Sequence, residues 1–173
     1  MEGLSERSSR TGPCDKAHAY FALYCGDQDM SDFVRSIPVR WNDCDPAGIV
    51  FHAHYVRWMD EGFHDLALVR GVDFRAMEAM DPNFRSSPLV DIGCAFRAPA
   101  QYGDLLDHRI APPEIGSGRA FRVLHRFYKG ETLVAEGHQV RIWAMAGPGG
   151  EGLRAIVVPG PIAAKLRGDD LPP

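Results

Sequence analysis

Two carboxylates, Asp43 and Asp45, flank Cys44 in the stretch "DCDPAGIVFHAHYVRWMDE", and Pro46 and Gly48 follow at once. His52 and His54 come next, and then a run with helical spacing that carries Asp60 and Glu61. A helix that begins after such a turn offers unpaired backbone N–H groups and a partial positive charge. Those donors can stabilise the oxyanion that develops on a carbonyl under attack. A carboxylate beside them can attack that carbonyl or activate water toward it. Asp45, the turn and the helix start therefore read as an acyl-transfer site. Asp before Pro is also an ordinary turn residue, so the spacing alone leaves both readings standing.

His52 and His54 also invite a metal, because histidines two apart on an extended segment point the same way. No third ligand stands at a recognised spacing, and the pattern is not the helical H-E-x-x-H type. The expectation is that no metal or organic cofactor is used. Each acid also has a plainer role open to it. Asp43 suits a polar cap on the turn. Asp60 suits a surface pair with Arg57 or His64, worth about 0.3 kcal/mol.

The elements that must position these groups are legible around them. Ile37, Val39 and Trp41 alternate with polar neighbours, which predicts a strand, and Pro38 assigns it to a sheet edge or a bulge. A helix is expected from near His54. Tyr55, Trp58, Met59, Gly62, Leu66 and Val69 form its apolar face, and Gly71 is its stop. A loop rich in Met, Asp and Pro follows. Strands are then expected over Leu89 to Phe96 and Leu105 to Ala111. A long hairpin follows through "YKGET", from Phe121–Phe127 to Leu133–Met145. Leu153 to Val158 adds to the sheet, and Pro159 and Pro161 precede a short terminal helix. The plan is α+β, with one long central helix packed on a five- to six-stranded antiparallel sheet.

The chain has 173 residues, 45% of them hydrophobic, and a net charge of -4. That suits one globular domain with its own core, and argues against a general nucleic-acid role. Residues 1–30 read as a polar, poorly ordered extension before a domain over 31–173, and Met30 is an alternative start point. No apolar run is long enough to span a bilayer, and no cleavage signal follows Ala17 to Cys25. Cys14, Cys25, Cys44 and Cys94 lack zinc-type spacing, so free thiols in a cytoplasmic protein are expected.

The block "WNDCDPAGIVFHAHYVRWMDE" resembles the signature of the 4-hydroxybenzoyl-CoA thioesterase-like branch of the hotdog-fold superfamily. The similarity runs from about Ile37 to Leu166 and includes "GLRAIVVP" near the end. The resemblance implies that Asp45 is the catalytic nucleophile or general base. It implies that Gly48 belongs to the substrate-binding turn, and that the His52 backbone N–H polarises the thioester carbonyl while its side chain assists. His54 stands at a substrate-binding position where the family usually has Asn, and Asp60 matches an acidic helix position near the acyl end. Ser117, Gly118 and Arg119 fall where relatives place polar and basic residues near the CoA phosphates. Hydrolysis of an acyl-CoA to the free acid and CoA is thus implied, with an aromatic, hydroxybenzoyl-like or short acyl group. An aliphatic acyl-CoA or acyl-carrier-protein thioesterase is the near alternative, and a non-catalytic acyl-CoA binding protein the distant one. The resemblance also implies a homodimer or homotetramer whose site is shared between subunits; from the charge and the apolar runs, neither nucleic acid nor membrane is expected as a partner.

Overall fold

The computed structural model describes residues 32–169. The expected N-terminal extension, with Cys14 and Cys25, lies outside them. Six strands form one antiparallel sheet: β1 (Phe33–Pro38), β2 (Leu89–Phe96), β3 (Leu105–Ile110), β4 (Ala120–Lys129), β5 (Thr132–Ala146) and β6 (Leu153–Ile156). The order is β1-β3-β4-β5-β2, and β6 pairs with the end of β5. The fold class is α+β, as the alternation of apolar residues predicts.

The strand pattern has a direct physical cause. In β4, Phe121, Val123, His125 and Phe127 point inward and are buried, while Arg122 and Arg126 point outward. That period of two lets one face pack and the other meet water. β5 has 15 residues, long enough to hold β4 along one side and β2 along the other. Pro38 ends β1, an edge strand, where a missing N–H breaks no ladder.

The helix α1 (His52–Val69) crosses the inner face and buries Tyr55, Trp58, Met59, Gly62, Phe63, Leu66 and Ala67. Gly62 is required by proximity: a Cβ there would come within 2.5 Å of His108 Cε1 and 2.6 Å of Ile110 Cδ1. Gly71, at φ 71°, closes the helix as expected.

Three expectations are corrected. The helix is not single: α2 (Phe74–Met80) and α3 (Gly160–Arg167) accompany α1. α3 is the expected terminal helix, but α2 occupies the segment read as a loop. Asp73 caps α2 by accepting from the Arg75 and Ala76 N–H groups, a local bond that outweighs the segment's irregular composition. Trp41 does not continue β1. It sits in a 3-10 turn (Trp41–Asp43), 78% exposed, and packs edge-on against Tyr102. Finally, α1 begins at His52 rather than near His54.

The buried hydrocarbon forms two clusters. One centres on Tyr55, Trp58, Met59, Leu106 and Phe127, and the other on Phe63, Leu66, Ile110, Val123 and Trp143. Between them, three neighbouring strands each carry buried polar side chains: His108 on β3, His125 on β4, Gln139 and Arg141 on β5. The two imidazoles stack 5.2 Å apart and share a hydrogen bond of 3.0 Å between His108 Nε2 and His125 Nδ1.

Candidate active site

The turn that carries Asp45 is a small closed unit. The Asp45 N–H donates to Ile49 O at 2.9 Å, the Gly48 N–H to Asp45 O at 2.9 Å, and the Ala47 N–H to Asp45 Oδ1 at 2.8 Å. Gly48 has φ 76°, and a Cβ there would meet nothing, so the backbone angle and not space calls for glycine. Cys44 bridges Val50, and the Phe51 N–H donates to Asp43 O at 2.9 Å. The chain therefore folds back, bringing Asp45 beside the start of α1. Asp45 is half-buried, and its Oδ2 has no partner among the described residues.

No side chain caps α1 at Phe51. The N–H groups of His52 and Ala53, both exposed, have no acceptor among the described residues, whereas the His54 N–H already donates to Phe51 O at 2.9 Å. A bare helix start with two aimed donors is a ready site for a developing negative charge.

Asp43 serves as the expected cap. It is buried, and its Oδ2 accepts from the Arg40 N–H at 2.8 Å. Its Oδ1 also faces His54 Nδ1 at 3.5 Å and an Arg57 nitrogen at 3.4 Å. Thus the side chain of His54 is turned to Asp43. Among the described residues no cluster of His, Cys, Asp and Glu is grouped as a metal site. Beneath the turn lies Tyr55, whose phenol is pushed up to about 12 by burial, with Cys94, Asp104 and Cys44 adding to the effect. It stays neutral and serves as packing. Cys44 and Cys94 are free and half-buried, and burial pushes the Cys94 thiol up.

Asp60 lies further along α1, and neither Arg57 nor His64 is its ion-pair partner. It pairs with Arg141, a residue on β5 that sequence reasoning did not single out. Arg57 pairs instead with Asp43 and Glu61. The signal for Arg141 was an arginine at an inward-facing position of an alternating strand, where a charge needs a partner.

Ser117, Gly118 and Arg119 form an exposed turn between β3 and β4. They are not brought to Asp45 within one chain. The Asp104 carbonyl, just before β3, accepts from the Val39 N–H, and Val50 bonds Ala100, so the Asp45 turn sits at the entry of β3. Ser117–Arg119 lie beyond its exit, about 20 Å away at the rise of a strand.

A family model described as the thioesterase-like superfamily matches residues 39–166. A 1,4-dihydroxy-2-naphthoyl-CoA hydrolase of Prochlorococcus marinus (strain MIT 9515) is 32% identical over 102 residues, 57% of this chain and 67% of that protein. The 4-hydroxybenzoyl-CoA thioesterase of Pseudomonas sp. (strain CBS-3) is 29% identical over 126 residues, 70% of this chain and 87% of that protein. A crystal structure of a 4-hydroxybenzoyl-CoA thioesterase, an aspartate-to-asparagine variant holding 4-hydroxybenzoyl-CoA, superposes with a TM-score of 0.70 at 25% identity. The match covers 79% of this chain and 99% of that one. Sheet, helix and turn thus define a hotdog-fold thioester hydrolase. The chain belongs to the thioesterase-like superfamily, on its 4-hydroxybenzoyl-CoA thioesterase-like side.

Proposed function

We propose that the protein hydrolyses an acyl-CoA thioester whose acyl group is a hydroxylated aromatic ring. The observation that carries the reading is Asp45, held on a closed turn with one oxygen free, beside the uncapped start of α1. The thioester carbonyl oxygen takes the His52 N–H, which sharpens its carbon toward attack. Asp45 then acts in one of two ways. It attacks that carbon, expels the CoA thiolate and leaves an anhydride that water opens, or it takes a proton from water as that water attacks. Either route adds one water and yields the free acid and the CoA thiol. No metal or organic cofactor enters. Two of the similar proteins named above act on hydroxylated aryl-CoA esters, which supports the acyl class.

The working unit is a homodimer or homotetramer with Asp45 and Arg119 of one site coming from different chains. The separation of the Asp45 turn from Ser117–Arg119 along β3 supports this. So does β2, an edge strand that leaves Leu89, Val90 and Phe96 exposed. Among the described residues no helix is long and apolar enough to cross a membrane.

The test is Asp45→Asn. The amide is nearly isosteric but cannot act as nucleophile or base. Turnover of 4-hydroxybenzoyl-CoA, followed by thiol release, should fall at least about 100-fold while substrate binding persists. A variant that keeps more than about a tenth of wild-type kcat removes Asp45 from the reaction. Short aliphatic and acyl-carrier-protein esters run in the same panel decide the acyl class.

A further inference from the structure

The face of the sheet turned away from α1 carries a hollow of about 460 Å³, within the range of small-ligand pockets, about 300–1,000 Å³. β4 supplies Arg122, Leu124 and Arg126, β5 supplies Glu136 and His138, and β2 supplies Gly93 and Ala95. Strand register sets these groups side by side: Leu124 lies opposite His138, His138 opposite Gly93, and Arg126 opposite Glu136. Every second residue of a strand shares a face, so Arg122 and Arg126 flank Leu124 and stand about 13 Å apart.

His138 is placed by its neighbours. Its Nε2 meets Asp91 Oδ2 at 3.0 Å, and the ring lies over β2. Glycine makes the room, since a Cβ on Gly93 would come within 2.6 Å of His138 Cε1. The Nδ1 is left on the side away from Asp91, without a partner among the described residues. The acids around the hollow are already engaged. Glu136 Oε1 accepts from Arg97 Nε at 3.0 Å and from Arg97 Nη2 at 2.7 Å, and Asp91 holds His138. Arg122 and Arg126 are exposed, and neither guanidinium has a side-chain partner among the described residues. On its other side Arg126 stands opposite Arg109, whose guanidinium lies 4.7 Å from the centre of the Tyr128 ring. Like charges placed directly across a strand pair repel. The hollow therefore gathers cations whose counter-charge these strands do not supply.

We propose that this hollow binds a phosphorylated small molecule, its phosphoryl group held by Arg122, Arg126 and His138. Three donor groups match a phosphoryl group, with three oxygens and up to two charges, better than a carboxylate with two oxygens and one. Guanidinium forks also bond phosphate oxygens in pairs. The floor calls for more than a bare ion. Leu124 and Ala95 present carbon and Gly93 presents no side chain, so an organic portion can lie on them and take apolar surface out of water. The hollow lies across the sheet from α1, whose start carries the chemistry of Asp45.

The experiment is calorimetric titration of the full chain at pH 7 and constant ionic strength, with inorganic phosphate, phenyl phosphate and benzoate as probes. Phenyl phosphate should bind one per chain and more tightly than inorganic phosphate, with benzoate the weakest. Arg122→Gln and Arg126→Gln should each weaken phenyl phosphate at least about tenfold, the effect of losing a charge-assisted bond. Gly93→Ala should weaken it as well, because it displaces the imidazole and leaves every charge in place. Arg109→Gln should change it little. No binding at millimolar phenyl phosphate overturns the proposal. So does affinity that the two arginine variants or Gly93→Ala leave untouched, or an equal loss from Arg109→Gln, which would mean a diffuse field and no site. Thiol-release kinetics then identify the source of the phosphoryl group. If phenyl phosphate competes with the CoA ester and Arg126→Gln removes the competition, the group is the substrate's own; if the two bind together, it belongs to a second phosphorylated compound.

Discussion

Acid should destabilise this protein through a route that its carboxylates do not supply. His125 is buried between the two apolar clusters, and burial first, with Arg141 second, pushes it down to about 3 from 6.5. His108, stacked on Phe127 at 4.1 Å, is driven the same way by burial and by His125. The sign follows from where the protons sit. Above pH 6.5 neither the folded nor the unfolded histidine is charged, and stability is complete. Below 6.5 the unfolded chain binds protons that the folded chain refuses, so stability falls as pH falls, down to the folded value near 3 for His125. Each refused proton costs about 1.4 kcal/mol per pH unit once the unfolded imidazole is fully charged, so His125 alone removes about 2 kcal/mol between pH 6.5 and 4.5. Urea unfolding at fixed protein concentration, from pH 7.5 to 4.5, measures this. His125→Gln cannot titrate and keeps an amide near His108. Its slope of stability against pH below 6 should be shallower than wild type by about 1.4 kcal/mol per unit. Parallel slopes would refute the reasoning, because the imidazole would then be taking its proton without opening the fold.

Gly62→Ala should lower stability by about 1–2 kcal/mol in urea. Alanine favours a helix by about 1 kcal/mol, but its Cβ collides with an imidazole already pinned by Phe127 and His125. A gain in stability would mean that His108 moves freely. EDTA should leave turnover unchanged, and elemental analysis should find no stoichiometric zinc in the purified protein; chelator-sensitive turnover with bound metal would restore a ligand role to His52 and His54. Light scattering should give at least a dimer at micromolar concentration. Mixing inactive Asp45→Asn chains with inactive Arg119→Ala chains should return activity once subunits exchange. Exchange without recovery would place the whole site within one chain.

Much of this architecture was legible because the relevant forces are local and periodic. Alternation in "FRVLHRF" and helical spacing from Tyr55 to Leu66 fix which faces are buried, and the strand and helix expected there are present. Pro38 marks an edge and Gly71 a stop for backbone reasons that hold in any context. What escaped depends on residues distant in sequence. Trp41 continues an alternating pattern, yet Asp43 captures the Arg40 N–H and turns the chain before Trp41 can pair. Asp60 has plausible partners three and four residues away, but its actual partner lies 81 positions on. Spacing cannot reveal a contact made by strand register. The α2 helix was missed for a different reason: a seven-residue helix carries too few turns to show a period.

The layer formed by His108, His125, Gln139 and Arg141 also bears on how this chain can vary. Hydrocarbon side chains adjust to a neighbour's change of size by sliding, whereas a hydrogen-bonded layer has preferred distances and angles and yields little. Adjustments around Tyr55, Trp58 and Phe127, the half beneath the Asp45 turn, therefore meet the His108–His125 and Gln139–Arg141 pairs before they reach Phe63, Leu66 and Trp143. The half nearest the reaction can be remodelled for a different acyl group while the other continues to hold α1 against the sheet.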